Sequence, residues 1–421
     1  MSAPGSGPAG VRISGGGADP AAPADPAGVS SPRLADLPLR DDLRGQSPYG
    51  APQIDVPVRL NTNENPHAPS PGLVDALGKA ATLAATGVNR YPDRDVEDLR
   101  ADLAAYLRPD AGFALTPAWV WAANGSNEVL QQICQAFGGP GRIAVGFEPS
   151  YSMHHLIAQA TATGWHRLER GADFSVDPIE AAEQIRRLRP AIVFLASPNN
   201  PTGTAMPLDV IAAVCDAVTE TGAGVVVVDE AYAEFRRRGV PSALTLLPRY
   251  GRLLVTRTMS KAFTLAGARV GYLAAHPAVV DALQLVRLPY HLSVFTQAVA
   301  RTALAHAGEL LGTVEAVKGQ RDRLVAELTE LGCAVAPSDA NFVFFGRFAD
   351  QAEVWRRLLE HGVLIRDVGI GGYLRVTAGL PGETDAFLAA LRTVLAEAPQ
   401  LWAPGGPAGA EGNTTTSVAE R

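Results

Sequence analysis

The chain has 421 residues, which is long enough for two domains, and 47% of them are hydrophobic, so a sizeable core can be buried. Its formal net charge of −7 argues against a general nucleic-acid binder. No apolar run approaches the roughly 20 residues of a membrane span. The three cysteines form no CxxC pair, so we expect no disulfide framework, no metal site and a cytoplasmic protein without a membrane partner.

The two ends of the chain differ in composition from its middle. Residues 1–32 are dominated by Ala, Gly, Pro and Ser, and residues 404–421 are similar. Such segments bury too little apolar surface to offset their ordering entropy, so we predict that both are disordered. Between them we predict an N-terminal arm at 33–70 that packs with a small domain, a large α/β domain at 71–308 and the small α+β domain itself at 309–403.

The elements of the large domain alternate between strand and helix. The sequence predicts strands at 119–122, 142–146, 191–196 and 225–228, and helices at 125–137 and 208–221. The runs at 191–196 and 225–228 are apolar without interruption, as expected of parallel strands that are covered on both faces. This alternation predicts an α/β fold with a mostly parallel sheet and right-handed crossovers.

The pattern changes from about residue 309. An amphipathic helix to about residue 331 precedes strand-like segments at 340–345, 363–366 and 373–377, with helices between and after them. This order of elements predicts a smaller α+β domain.

Polar motifs follow predicted strands of the large domain, at the edge where open parallel sheets bind their ligands. Asp229 comes directly after the strand at 225–228, and its carboxylate could hold a pyridine nitrogen protonated. An aspartate in this place also commonly caps the next helix. Tyr232 and Asn200 could bond the phenolic oxygen of such a ring, and Asn200 lies in a turn at 197–203 that two prolines stiffen.

Lys261 follows the apolar run at 253–255 and has hydroxyl groups beside it at Thr258 and Ser260. A primary amine in these surroundings could form a Schiff base with an aldehyde cofactor, and the hydroxyls with Arg269 could hold its phosphate. A lone lysine is most often a solvated surface charge. The interpretation therefore depends on the other parts of the site.

Three further features suit a phosphorylated ligand. The helix that opens with Ser126 and Asn127 offers free backbone amides to a phosphate. Tyr151 follows a predicted strand and could stack on a planar cofactor, although a packed loop tyrosine is the simpler explanation. Arg366 and Arg375 lie near the ends of two predicted strands, and paired guanidinium groups suit a carboxylate or phosphate unless both are ordinary surface arginines.

The order of these motifs resembles that of the fold-type I pyridoxal-phosphate aminotransferases, over residues 34 to 402. The motifs that carry the resemblance are NGSNE at 124–128, SPNNPTG at 197–203, DEAY at 229–232 and TMSKAF at 258–263. Within that superfamily the chain is similar to the histidinol-phosphate aminotransferase family of class II, in its actinobacterial form, through LNTNENP at 60–66, RYPD at 90–93 and LVRLPYHL at 285–292.

The resemblance implies a cofactor, pyridoxal 5'-phosphate, and a role for each candidate residue. Lys261 would form the Schiff base and shuttle the proton, Asp229 would pair with the ring nitrogen, and Tyr151 would stack on the ring. Asn200 and Tyr232 would bond the ring oxygen. The cofactor phosphate would be held by Ser126, Asn127, Thr258, Ser260 and Arg269.

The resemblance also implies how substrates and a partner subunit bind. Tyr49, Arg366 and Arg375 would bind the substrate phosphate, and Arg375 would also take the carboxylate of glutamate. Asn63 would line the entrance as a substrate-binding residue. Tyr91 would reach the phosphate site of the other subunit in a homodimer.

The expected reaction is reversible amino transfer between L-histidinol phosphate and 2-oxoglutarate, giving imidazole-acetol phosphate and L-glutamate in histidine biosynthesis. An aromatic amino-acid aminotransferase with the same machinery is the alternative, and a pyridoxal-phosphate decarboxylase shares the fold. A non-catalytic regulator would need a DNA-binding module, for which the N-terminal segment has too few basic residues. Two departures from many relatives are Asn127, where an aspartate is common, and the short Gly-rich loop between Arg366 and Arg375.

Overall fold

The computed structural model describes residues 33–46 and 48–401. The two ends predicted to be disordered, 1–32 and 404–421, lie outside this part of the chain. Within it, no helix has the length and apolar character needed to cross a membrane. The described residues also contain no group of His, Cys, Asp and Glu side chains arranged to hold a metal ion.

The described chain folds into alternating strands and helices. The strands are β1 (Val58–Arg59), β2 (Val120–Ala123), β3 (Ile143–Glu148), β4 (Gly164–Glu169), β5 (Ile192–Ala196), β6 (Val225–Asp229), β7 (Leu253–Thr258), β8 (Gly271–Ala275), β9 (Ala334–Val335), β10 (Phe342–Gly346), β11 (Val363–Leu364) and β12 (Tyr373–Thr377). The helices are α1 (Pro71–Ala85), α2 (Glu97–Ala111), α3 (Ser126–Phe137), α4 (Ser152–Ala160), α5 (Pro178–Leu188), α6 (Leu208–Thr221), α7 (Pro277–Gln284), α8 (Val294–Ala305), α9 (Ala307–Glu330), α10 (Gln351–Glu360) and α11 (Pro381–Glu397).

A seven-stranded sheet forms the centre of the molecule, in the order β2-β8-β7-β6-β5-β3-β4. Neighbouring strands run parallel from β7 to β4, whereas β8 runs antiparallel to both β7 and β2. The predicted α/β fold with a mostly parallel sheet is thus confirmed. The sequence did not reveal β4 or β8, because β4 is a largely exposed polar edge strand and β8 is too short and too uniformly buried to alternate.

The uninterrupted apolar strands are explained by two apolar layers, one on each face of the sheet. Alternate residues of a strand point to opposite faces. In β6, Val226 and Val228 join one core cluster, while Val225 and Val227 join the other. Burial on both faces therefore requires apolar residues at every position of β6, as the sequence predicted for parallel strands.

The C-terminal part, from α9 onwards, forms its own small sheet and also pairs with the N-terminal arm. β12, β10 and β9 form an antiparallel sheet, and β1 of the arm pairs in parallel with β11. The long helix α9 carries the buried Arg321, which donates to the backbone oxygens of Phe235 and Ala340 and so links the two parts. The exact domain boundaries stay predictions, since the proposed division at 308–309 falls inside α9.

Candidate active site

A cavity of about 750 Å³ opens at the carboxyl ends of β5 and β6. It lies between the central sheet and the side chains of the arm and the C-terminal part. The candidate residues from the sequence that line it are Tyr49, Asn63, Ser126, Asn127, Tyr151, Asn200, Asp229, Tyr232, Thr258, Ser260, Lys261, Arg269, Arg366 and Arg375. Tyr91 is the one candidate residue outside this wall.

Asp229, the last residue of β6, is buried at the bottom of the cavity. Its Oδ2 lies 3.0 Å from Nε2 of His154, and its Oδ1 accepts from the backbone amide of Ala231 at 3.2 Å. The His154 ring is itself fixed by stacking on Phe194, with ring centroids 4.7 Å apart. These contacts hold the Asp229 carboxyl group in place, and a carboxylate is the group that pairs with a protonated ring nitrogen.

His154 was missed as a functional candidate in the sequence. It stands on α4 three residues after Tyr151, and it is almost fully buried. A histidine on the buried face of a helix is not explained by hydrophobic burial. This is the only feature of the sequence that could have indicated a functional role for His154. Its partner, Asp229, lies 75 positions away, so only the fold connects them.

Lys261 extends its amine to the backbone oxygen of Thr62, at 3.0 Å. Burial lowers the pKa of this amine to about 8, with Arg375 and Arg269 acting in the same direction and Glu64 opposing them. A lowered pKa leaves a useful fraction of the amine neutral at physiological pH. Neutral amine is the form that attacks an aldehyde.

The phosphate-binding candidates converge on the start of α3. Thr258 donates to the hydroxyl oxygen of Ser260 at 3.0 Å, and Nη1 of Arg269 donates to the same oxygen at 3.3 Å. Gly125 precedes the helix with φ of +85°, and a Cβ there would lie 2.6 Å from Nη2 of Arg269. Only glycine allows the helix start and the guanidinium to approach so closely. Two hydroxyls, a guanidinium and helix-start amides fit a phosphate group.

Tyr151 and Asn127 are hydrogen-bonded to each other in the cavity wall. The Tyr151 hydroxyl donates to Oδ1 of Asn127 at 3.4 Å, and its ring meets that of His154 edge-on, with centroids 5.5 Å apart. Burial raises the pKa of Tyr151, so the phenol stays neutral. Asn127 thus acts here as a neutral acceptor.

Arg375 joins the arm to the turn after β5. Its Nη1 donates to Oδ1 of Asn200 at 2.6 Å, and its Nη2 donates to the backbone oxygen of Asn61 at 2.7 Å. Its Nε is buried and has no partner among the described residues. Because Arg375 occupies the Asn200 oxygen, the amide nitrogen of Asn200 is left for another acceptor. An unpaired buried donor on a cation suits an anionic ligand.

Tyr49 and Arg366 lie nearer the mouth of the cavity. Tyr49 is 54% exposed. Arg366 is paired across the backbone with Arg375, and its Nη2 donates to the backbone oxygen of Gly50 at 3.4 Å. With this short Gly-rich loop after it, Arg366 is still a residue of the cavity wall.

Asn63 is buried, and its side chain is already bonded. Its Nδ2 donates to the Tyr232 oxygen at 3.0 Å, and its Oδ1 accepts from the Thr377 hydroxyl at 3.0 Å. Contact of Asn63 with a substrate stays a prediction, and the bonds that it makes point instead towards Tyr232.

Tyr91 stands apart from the cavity of its own chain. It is 80% exposed and stacks on Tyr290, with ring centroids 4.4 Å apart. An exposed aromatic pair of this kind buries little surface and so contributes little to the stability of the isolated chain. Its reach into a second subunit stays a prediction.

Comparisons with known proteins show which family the chain around this cavity resembles. Residues 55–391 match the family described as aminotransferase class I and II. The histidinol-phosphate aminotransferase of Frankia casuarinae is 75% identical over 359 residues, which cover 85% of this chain and 90% of that protein. The histidinol-phosphate aminotransferase of Thermobifida fusca is 61% identical, over 87% of this chain and 97% of that protein.

A solved structure gives the same result for the fold. The histidinol-phosphate aminotransferase of Sinorhizobium meliloti, in complex with pyridoxal-5'-phosphate, superposes with a TM-score of 0.72 at 26% identity. The superposition covers 82% of this chain and 92% of that one. The cavity residues from Asn63 to Arg375 lie within the family match, and Tyr49 precedes it.

Proposed function

The chain belongs to the class I and II aminotransferase family, and on this premise we propose that it transfers an amino group between L-histidinol phosphate and 2-oxoglutarate. The products are imidazole-acetol phosphate and L-glutamate, and the reaction is a step of histidine biosynthesis. The observation that carries this proposal is the pair of guanidinium groups, Arg366 and Arg375, in the same cavity as the amine of Lys261. The relatives do not favour the aromatic alternative.

The cavity residues divide the work of holding pyridoxal 5'-phosphate, which when bound serves as an electron sink for the bonds at the substrate Cα. Asp229 pairs with the ring nitrogen, and His154 keeps its carboxylate in place. Asn200 and Tyr232 bond the ring oxygen, and Tyr151 covers the ring. The residues that hold the phosphate in this proposal are Ser126, Asn127, Thr258, Ser260 and Arg269.

Lys261 is the catalytic base in this proposal. Its amine would take the proton from the substrate Cα and deliver it to the C4′ carbon of the cofactor. The Thr62 carbonyl accepts a hydrogen bond from this amine at 3.0 Å and so helps to fix its position. The lowered pKa, about 8, keeps the amine available as a base near neutral pH.

Arg366 and Arg375 select the substrate. A phosphate and a carboxylate each present two oxygens that a guanidinium fork binds through two hydrogen bonds. Arg375, the more buried of the two, binds the carboxylate of glutamate, and Arg366 with Tyr49 adds the contacts that a phosphate needs. Burial lowers the pKa of Arg375, which still leaves it a cation, so a bound anion relieves an unfavourable buried charge.

The working enzyme in this proposal is a cytoplasmic homodimer with a cofactor domain at 71–308 and a small domain at 309–403. Exposed apolar side chains close in sequence to Tyr91 and Tyr290 support a subunit contact there. These side chains are Val88, Leu285 and Leu288. In such a dimer Tyr91 reaches the cofactor phosphate of the other subunit. The three buried thiols agree with a reducing compartment.

The direct test supplies purified enzyme and cofactor with L-histidinol phosphate and 2-oxoglutarate, and follows glutamate. We expect glutamate to form in proportion to imidazole-acetol phosphate, with no carbon dioxide released. Absence of glutamate together with rapid turnover of phenylalanine or tyrosine would replace this function with that of an aromatic aminotransferase. Release of carbon dioxide from an amino-acid phosphate, supplied in a separate assay, would instead indicate a decarboxylase.

A further inference from the structure

We propose that Asn63 is a positioning residue, which fixes the direction in which Tyr232 donates its hydroxyl hydrogen. This inference rests on the proposed function, because it concerns how Tyr232 meets the ring oxygen of the cofactor. It assigns Asn63 a task inside the protein rather than a contact with substrate.

The proton arrangement around Asn63 follows from Thr377. The backbone amide of Asn63 donates to the Thr377 hydroxyl oxygen at 3.1 Å. The single hydrogen of that hydroxyl is therefore free to go to Oδ1 of Asn63, which lies 3.0 Å away. Because Oδ1 is thereby the accepting end of the amide, the other end must be the NH₂ group.

That NH₂ group points at Tyr232. Nδ2 of Asn63 lies 3.0 Å from the Tyr232 oxygen, which accepts its hydrogen. A phenol has one hydrogen of its own, and Nδ2 cannot accept it. The Tyr232 hydrogen must therefore leave the phenol in a different direction. Within residues 33–46 and 48–401 the Tyr232 oxygen donates no hydrogen bond, and Tyr232 borders the cavity.

The backbone around Asn63 is held unusually firmly. Asn63 has φ of +55°, in the left-handed region that asparagine tolerates better than most residues. Its carbonyl accepts from Nδ2 of Asn341 at 3.0 Å. The carbonyl groups on its N-terminal side bind Arg375 and Lys261. A residue bonded on every side in this way keeps its amide in one orientation.

The hydroxyl hydrogen of Tyr232 is present under working conditions. Burial raises the pKa of Tyr232, and Asp229 acts in the same direction, as does Tyr49 from the arm. Arg375 is the charged group that opposes them, together with the hydrogen bond from Asn63. Burial is the largest of these influences, so Tyr232 remains a neutral donor, aimed by Asn63.

The test is the substitution Asn63→Asp in the full-length enzyme loaded with pyridoxal 5'-phosphate. Aspartate has the same shape and also tolerates positive φ, but it offers an oxygen where the NH₂ group was. Arg375 nearby favours the ionised form of the introduced side chain. Tyr232 then donates to this new carboxylate and no longer to the ring oxygen. The pH titration of the cofactor's visible absorbance, without substrate, should shift upwards by about one pH unit or more.

Tyr232→Phe removes the donor altogether and should shift the same titration upwards. Combining it with Asn63→Asp should add clearly less than the sum of the two single shifts, since both act through one hydrogen bond. Unchanged titration in Asn63→Asp, or shifts that add in full, would overturn the proposal. If Asn63→Asp does not fold, Thr377→Val replaces it, because it removes the hydrogen that orients the amide, and an unchanged titration would count equally against the proposal.

Asn341→Ala is the matched control for a merely structural effect. It removes the bond to the Asn63 carbonyl but leaves the amide and Tyr232 facing each other. We expect a lower melting temperature with an unchanged titration. A shift as large as that of Asn63→Asp would mean that loosening the segment is sufficient, and would contradict the positioning role.

This experiment fails separately from the proposed function. The titration needs bound cofactor but no substrate, so a wrong substrate assignment leaves it intact. Wild-type enzyme that acquires no visible absorbance with pyridoxal 5'-phosphate would refute the cofactor assignment before any variant is compared.

Discussion

The two halves of the cavity are built in different ways. The half on the central sheet comes from residues at or just after the ends of strands, such as Asp229 at the end of β6 and Lys261 shortly after β7. The opposite half comes from the arm and β12, where Asn61 and Arg375 meet although 314 positions separate them in sequence. The first half handles the cofactor in our proposal, and the second half handles the substrate.

This difference has a physical basis. The carboxyl ends of parallel strands meet at one edge, so any polar residues placed there become neighbours automatically. The second half needs long-range packing, namely β1 against β11 and Arg321 between the two parts. A cofactor site at the strand ends can therefore stay the same while a substrate site built by long-range packing changes.

The largest effect is expected on the sheet side. In our proposal Lys261 captures the cofactor and moves the Cα proton, so turnover of Lys261→Ala should fall by on the order of 10⁴-fold or more. The variant should remain folded but lose the visible absorbance of bound cofactor. Steady-state turnover, absorbance spectra and melting temperature together check this. Near-normal turnover would remove Lys261 from the mechanism.

The next largest effect is expected on the substrate side. Arg375→Lys keeps a positive charge but loses the fork that binds Asn200 and, in our proposal, the ligand anion. Losing about 3 kcal/mol of charge-assisted bonding should lower kcat/KM by roughly 100-fold for both substrates, with normal cofactor absorbance. Arg356→Lys, an exposed change on α10, serves as the control and should behave as wild type. Loss of cofactor absorbance in Arg375→Lys would show that Arg375 also serves the cofactor, and would contradict the division of the cavity into a cofactor half and a substrate half.

Arg366→Ala should separate the two substrates. If Arg366 serves the phosphate, kcat/KM for L-histidinol phosphate should fall by about tenfold, as expected for one partly exposed charge-assisted bond. The half-reaction with glutamate should change much less, because Arg375 carries its carboxylate in our proposal. Equal losses for the two substrates would show that Arg366 does not recognise phosphate.

The smallest effect is a pH dependence of cofactor capture by the cofactor-free enzyme. With the pKa of Lys261 lowered to about 8, more amine becomes neutral as the pH rises towards 8. The capture rate should therefore fall by about tenfold for each pH unit well below 8 and level off above it. Rapid-mixing absorbance at several pH values measures this, after correction for the titration of free cofactor. A midpoint near 10.5, the ordinary value for a lysine, would mean that burial does not tune the amine.

The sequence predicted that Lys261 and Asp229 belong to one site, but it did not reveal the groups to which they are hydrogen-bonded. Lys261 and Asp229 were recognisable because an apolar strand ends just before each of them. His154 carries no comparable pattern, and its pairing with Asp229 depends on how α4 packs on the sheet. The Thr62 carbonyl that bonds Lys261 could not be predicted, since every residue has a carbonyl and only the fold selects one.

The fold was likewise predictable where the signal is local, and not where it depends on distant contacts. Strands with uninterrupted apolar runs, such as β5 and β6, were predicted nearly to the residue because burial on both faces leaves a clear signal. The antiparallel direction of β8 has no local signal, because chain direction is decided by its connections. Pairing of β1 with β11 likewise depends on contacts across most of the chain.

The most direct measurement of the central claim compares kcat/KM for L-histidinol phosphate with kcat/KM for unphosphorylated L-histidinol, with 2-oxoglutarate as the acceptor. An enzyme that reads the phosphate through Arg366 and Arg375 should prefer the phosphorylated amine by roughly 100-fold or more, since two charge-assisted contacts are at stake. Equal values for the two amines would contradict the account, because the two arginines would then have no phosphate to recognise.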